Sequence, residues 1–113
     1  LLIRKNNRCI VAMIQAEVSI YPLATKDTSV SFYIARAIET IQNMEDIKYQ
    51  VNAMGTTLES KSMDAILLAS KEMTEAVHNL GINRVETIIK IDSRRDKDSS
   101  MQDKVDAIKR YIN

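Results

Sequence analysis

Apolar and polar residues alternate over residues 9–20. Ile10, Ala12, Ile14, Ala16, Val18 and Ile20 fall on one side of an extended chain, and Cys9, Val11, Met13, Gln15, Glu17 and Ser19 on the other. A period of two marks a strand with one apolar face, so this segment predicts a first strand, closed by Pro22. The period then lengthens. Ile34, Ala37, Ile38 and Ile41 recur at helical spacing, behind Thr28 or Ser29, either of which is expected to cap the first helix. Residues 48–53 and 56–60 predict two short strands with Gly55 between them. A second helix is expected from Ser62 as cap, with Ile66, Ala69, Ser70, Met73, Ala76, Val77 and Leu80 as its stripe and Gly81 as its stop. Residues 83–93 alternate again, Val85, Thr87, Ile89 and Ile91 against Glu86, Ile88, Lys90 and Asp92. After a charged turn, Ser100 and Asp103 resemble a capping box. It opens a last helix with a thin apolar face of Met101, Val105, Ile108 and Ile112.

The order β-α-β-β-α-β plus a final helix is that of a ferredoxin-like α+β domain, with two helices over one face of a four-stranded antiparallel sheet. The domain is expected over residues 8–113. Residues 1–7 read as an N-terminal extension outside the fold, expected to be trimmed or incomplete at its start because no methionine opens the chain. The other sheet face would carry Val11, Met13, Met54 and Ile88 among Gln15, Glu17, Asn52, Lys90 and Asp92. With no helix to cover it, that mixed face predicts another subunit. An open, solvated face is the alternative that antiparallel sheets permit.

Composition narrows the function. A chain of 113 residues, 45% apolar and 27% charged, is an ordinary globular domain. A net charge of +1 gives no footprint for nucleic acid or for a membrane surface. No apolar run nears the ~18 residues of a transmembrane helix. The single cysteine allows no internal disulfide, so a cytoplasmic location is the expectation.

The candidate chemistry is sparse. One histidine, His78, and one cysteine, Cys9, on different elements give neither a metal site nor a nucleophilic triad. With two glycines there is no phosphate-cradling loop. Arg94, Arg95 and Lys97 are offset by Asp92, Asp96 and Asp98. RNA recognition on the sheet would want aromatics on the central strands, and the five aromatics lie elsewhere, mostly at element ends. Two features remain. Glu17 and Asp92 point to the same uncovered face, where they could bind a cation or, less simply, act as an acid–base pair. Residues 53–60 gather Gly55, Thr56, Thr57 and Glu59 in one extended stretch. Nearby, Tyr21, Phe32 and Tyr33 flank a loop rich in hydroxyls (Ser19, Thr28, Ser29, Ser31), which would suit a flat, nitrogen-rich, positively charged ring. The aromatics could equally pack the first turn of the helix.

Five short motifs in order carry a resemblance. They are residues 16–23 (AEVSIYPL), 28–31 (TSVS), 54–59 (MGTTLE), 90–97 (KIDSRRDK) and 101–105 (MQDKV). Together they resemble the thiamine-binding protein family, small proteins of ferredoxin-like fold, from about Arg8 to the C-terminus. The resemblance implies binding of thiamine or its hydroxymethylpyrimidine moiety without turnover, with no cofactor and no metal. It also implies self-association to a dimer and on to a tetramer through sheet-to-sheet contacts. The matching positions, taken as a ligand-binding group, are Glu17, Ser19, Ser29, Ser31, Met54, Gly55, Thr56, Thr57, Glu59 and Asp92. Ser93 stands where many relatives have a second acidic residue, which weakens that turn as a holder of cations. An assembly module without a small ligand, and a small enzyme using Glu17 and Asp92, are the competing readings.

Overall fold

The computed structural model describes residues 2–5 and 8–113, with side chains from Ala12 onward. Its elements in chain order are β1 (Leu2–Lys5), β2 (Arg8–Val11), β3 (Ile14–Pro22), α1 (Ser31–Glu39), β4 (Lys48–Val51), β5 (Thr56–Ser60), α2 (Met63–His78), β6 (Val85–Ser93) and α3 (Met101–Lys109). Strands β3 to β6 form a four-stranded antiparallel sheet in the order β4-β5-β3-β6. With α1 and α2 this is the ferredoxin-like core, to which α3 is added.

Alternation places the core. Ile14, Ala16, Val18 and Ile20 of β3 are buried beneath the two helices, beside Leu58 of β5. Helix α2 contributes Ile66, Ala69, Met73 and Val77, a stripe at the spacing of one helical face, and α1 adds Ala37 and Ile38 with Ile41 just beyond it. Ser62 caps α2 by accepting from the Ala65 N–H at 3.1 Å. Past its end, Gly81 takes φ +91°, a backbone angle that suits glycine. At α3 the capping box is complete: the Asp103 N–H donates to Ser100 Oγ, and the Ser100 N–H donates to Asp103 Oδ2, both at 3.0 Å. Those bonds hold the Asp103 carboxyl below the usual carboxylate range.

Three expectations are corrected. The alternating run over residues 9–20 is two strands. Its first part, β2, pairs with β1 in a separate two-stranded sheet, so residues 2–5 are strand rather than bare extension. Residues 12 and 13 form the break, where the Met13 N–H donates to Asp98 Oδ1 instead of continuing a ladder. The side chains of Cys9, Ile10 and Val11 lie outside the described ones. Neither Thr28 nor Ser29 caps α1. The Ser29 N–H donates to Asp27 Oδ1 in a local turn, and the helix begins at Ser31 behind Val30, which offers no capping side chain.

The third correction concerns the open face. It is covered at one end. The chain returning from β6 lays residues 98–104 across it, burying Gln15 and Glu59, both polar. Gln15 Nε2 donates to the Ser99 carbonyl at 2.7 Å, the Met101 N–H donates to Glu59 Oε2 at 2.6 Å, and Lys104 pairs with Asp92. A carboxylate at a helix N-terminus is well placed, because it meets free N–H groups and the positive end of the helix dipole.

Candidate functional site

Strand lengths make the cavity. Strand β6 follows β3 along its whole length, to Pro22 opposite Val85. Strand β5 follows only to Val18, opposite Thr56. From Ser19 to Pro22, β3 therefore has no strand partner on that edge. The chain between β4 and β5 turns there, with the Asn52 N–H donating to the Gly55 carbonyl at 3.0 Å. The gap between this turn and the two helices is a cavity of about 180 Å³. Val18, Ile20, Ile34 and Met73 give it an apolar floor, Tyr21 a wall, and residues 52–55 a lip.

The lip is fixed by local bonds. Ser19 Oγ donates to the Met54 carbonyl at 3.1 Å, and Asn52 Nδ2 donates to Thr57 Oγ1 at 2.7 Å. Gly55 lies so close to β3 that a Cβ would stand 2.9 Å from Ser19 Oγ and 3.2 Å from both Glu17 Cγ and the Val18 carbonyl. A side chain there would have to turn Ser19 Oγ aside and shift the neighbouring backbone by a few tenths of an ångström. Met54, at the tip, is 81% exposed.

Thr56 differs from its neighbours. It faces the helices, is 3% exposed, and lines the cavity. Its hydroxyl makes no side-chain hydrogen bond among the described residues, whereas Ser19, Asn52 and Thr57 around it are all engaged. No sealed side-chain polar atom among those residues lacks a partner, so the Thr56 hydroxyl opens onto the cavity. A buried hydroxyl facing an apolar hollow is the kind of placed polar group that orients a small ligand.

The ten residues expected to act together are distributed over several places. Ser19, Met54, Gly55 and Thr56 line the cavity. Glu17, Thr57 and Asp92 lie on the opposite face of the sheet, in an open groove with Gln15, Lys90 and Lys104. There Glu17 stands across from Lys90 and Thr57 in register, and Asp92 is paired with Lys104. Glu59 is 3% exposed under the start of α3. Ser29 and Ser31 are exposed beside the cavity, while Val30 between them lines it. Of the aromatics, only Tyr21 reaches the cavity. Phe32 is packed edge-on by Tyr33, and Arg36 lies 5.3 Å from its ring centre, so that ring face already holds a cation.

Asn52, Ile34 and Met73 complete the lining and were not read as site residues from sequence. Ile34 and Met73 belong to the apolar helix stripes, where a residue at the end of the core looks like any other core residue. The basic turn is self-satisfied: Arg94 forks onto Asp96, Nε to Oδ1 at 2.5 Å and Nη2 to Oδ2 at 2.9 Å. That pairing raises the guanidinium pKa and holds the Asp96 carboxyl low. His78 ends α2, exposed, with Nδ1 2.8 Å from the Ile82 carbonyl. Among the described residues no three His, Cys, Asp or Glu side chains converge as a metal site, and no helix is long and apolar enough to cross a membrane.

Known proteins resemble this chain in sequence and fold. A UPF0045 protein of Methanothermobacter thermautotrophicus is 42% identical over 88% of this chain and all of its own length. A hypothetical protein from Methanocaldococcus jannaschii has a crystal structure matching with a TM-score of 0.77 at 44% identity, covering 86% of this chain and 96% of that one. A putative thiamine biosynthesis/salvage protein from Thermotoga maritima matches with a TM-score of 0.71 at 24% identity over 85% of this chain and 98% of its own, which speaks to fold alone. The family model described as thiamine-binding protein matches residues 16–109, spanning every wall of the cavity, and the chain belongs to that family.

Proposed function

We propose that this protein binds the aminopyrimidine ring of thiamine, or free hydroxymethylpyrimidine, in the cavity at the end of β3, without catalysing a reaction. The observation that carries the reading is the Thr56 hydroxyl, without a side-chain hydrogen bond among the described residues, in a nearly buried residue that lines a mostly apolar hollow. A planar ring would lie on Val18, Ile20 and Met73. Its ring nitrogens and amino group would meet the hydroxyl and the unpaired edge of β3, where backbone donors and acceptors have no strand partner. Family membership supports the ligand class.

Size supports the pyrimidine over the whole vitamin. At about 180 Å³ the cavity is smaller than the ~300–1,000 Å³ of sites for drug-sized molecules. One ring fits inside, and a second would lie outside the lip, beside Met54. Among the carboxylates expected to bind, Glu17 and Asp92 belong to the groove on the other face, so neutralising a thiazolium is left to solvent and to the rim.

Thermal-shift titration with hydroxymethylpyrimidine, thiamine and thiamine diphosphate tests the proposal. A ligand at 100 times its dissociation constant stabilises the fold by roughly 2.7 kcal/mol. Hydroxymethylpyrimidine and thiamine are expected to raise Tm, and Thr56→Val to weaken both by about 0.5–1.5 kcal/mol, the net worth of one hydrogen bond. Equal binding by wild type and Thr56→Val would remove the hydroxyl from the site. No rise with any of the three would favour the assembly module.

A further inference from the structure

The helices of the fold begin differently. α2 opens behind Ser62, whose hydroxyl accepts from the Ala65 N–H, and carries Asp64 in its first turn. α3 opens with the reciprocal bonds of Ser100 and Asp103. α1 opens behind Val30, with no capping side chain and no acidic residue in its first turn. Its first internal bond runs from the Ile34 N–H to the Val30 carbonyl at 3.1 Å. The N–H groups of Ser31, Phe32 and Tyr33 precede that bond and have no acceptor among the described residues. Free N–H groups aligned at the positive end of a helix dipole are receptive to an anion.

A bare helix start is met by water on most surfaces, so what lies beside it decides its use. Val30 and Ile34, one turn apart, both line the cavity at the end of β3, which makes the first turn of α1 one of its walls. The same cavity is lined by Thr56, a residue 3% exposed whose hydroxyl has no hydrogen-bond partner among the described residues. A buried polar group left open to a hollow is a separate sign that a ligand enters there. The surroundings of the helix start do not oppose an anion. The hydroxyls of Thr28, Ser29 and Ser31 are exposed and make no side-chain hydrogen bond among the described residues, and Lys26 forms no ion pair among them. Asp27 is the one carboxylate of the loop. It turns back to accept from the Ser29 N–H at 3.1 Å and takes none of the three helix N–H groups. Arg36 is committed to Glu39 and to the Phe32 ring.

We infer that, given the pyrimidine reading above, the ligand of this cavity carries a phosphate group held at the start of α1: the phosphate monoester of hydroxymethylpyrimidine is preferred over the free alcohol. The ring would lie on the apolar floor with the Thr56 hydroxyl at its polar edge. The hydroxymethyl arm carries the molecule's only hydroxyl, so an ester there sets the anion one short arm from the ring, as the start of α1 lies beside the floor. Phosphate oxygens only accept, and the N–H groups of Ser31, Phe32 and Tyr33 only donate. Bonds of that kind, charged on one side, are the strong ones. The hydroxyls of Ser29 and Ser31 would complete the shell from the rim. No bond is made or broken in the ligand.

Calorimetric titration with hydroxymethylpyrimidine and with its phosphate monoester tests this. The wild type is expected to bind the ester about tenfold more tightly or better, the equivalent of one hydrogen bond to a charged group. Amide signals of residues 31–33 should move with the ester and stay in place with the alcohol. Ser31→Asp puts a carboxylate in the first turn, where it favours the helix and repels a second anion. That variant is expected to fold like wild type by circular dichroism, and its preference for the ester should vanish. Asp27→Asn keeps an acceptor for the Ser29 N–H and removes a charge, so the preference should rise about two- to fivefold. Equal affinity for the two molecules, tighter binding of the alcohol, silent amides at residues 31–33, or a preference unchanged in Ser31→Asp would each overturn the inference and leave the pyrimidine reading in place. Binding of neither molecule would overturn the pyrimidine reading and the inference with it.

Discussion

The two ends of β3 use the same kinds of residue to opposite effect. At the Ile14 end the strand is flanked on both sides, and its polar neighbours are consumed internally. Gln15 bonds Ser99, Glu59 accepts from Met101, and Asp92 pairs with Lys104. At the Pro22 end β5 has stopped, one edge of β3 is open, and a threonine hydroxyl faces a hollow. The difference teaches that a buried carboxylate or hydroxyl becomes a ligand group only where the fold leaves it without a partner. By that test Glu59 organises α3, and Thr56 is the group on which the proposed function rests.

Removing Glu59 is the most forceful way to break this contrast. Glu59→Ala strands the Met101 N–H beneath α3 and removes the longer of the Gln15 amide's two bonds, leaving the one to Ser99, at a cost of about 1–3 kcal/mol. Hydrogen exchange should rise across residues 101–109 while the pyrimidine response survives. If ligand response vanished and α3 stayed protected, Glu59 would belong to the ligand site and the contrast would fail. A smaller effect sharpens the other end. Gly55→Ala sets a Cβ against Ser19 Oγ and the Val18 carbonyl. Overpacking of this kind costs typically 1–3 kcal/mol, and an exposed, adjustable turn should sit near the lower figure, about 1 kcal/mol. The lip would lift and ligand affinity fall, with α3 unchanged. Wild-type affinity in a folded Gly55→Ala protein would mean that the lip takes no part.

Acid gives the smallest effect. The Asp103 carboxyl is held below its ordinary 3.8 by its bonds to Ser100. A depressed carboxyl stabilises the folded form above the unfolded value, and that contribution is lost as pH falls through the folded value. Helix α3 should therefore fray first at its start as pH drops below about 3.8, detectable by exchange at residues 101–104 and abolished in Asp103→Asn. An acid response identical in that variant would assign the fraying to other groups.

Much of the fold was legible because periodicity reports burial. The stripe of α2, the caps at Ser62 and Ser100 and the stop at Gly81 follow from residue spacing and local hydrogen bonding alone, whereas the bounds of β5 drew also on the family resemblance. The failures are tertiary. Continuous alternation through residues 9–20 could not reveal a break made by Asp98, which is far away in sequence. The open face looked uncovered because nothing in residues 98–104 announces that they fold back over Gln15 and Glu59. The candidate site was legible as a region and not as a set of contacts. Sequence pointed to Ser19 and to residues 54–56, which line the cavity, and to Thr57, which lies in the groove on the other face. It also grouped them with Glu17 and Asp92, because alternation does not say which side of the sheet holds the hollow. Ile34 and Met73 were hidden within core stripes.

Chemical-shift mapping of hydroxymethylpyrimidine on the labelled protein tests the central claim most directly. The account predicts perturbations concentrated at residues 18–21, 30, 34, 52–56 and 73, with Glu17, Lys90 and Asp92 little changed. Perturbations centred on the groove of Glu17, Lys90 and Asp92, with the cavity residues silent, would contradict it.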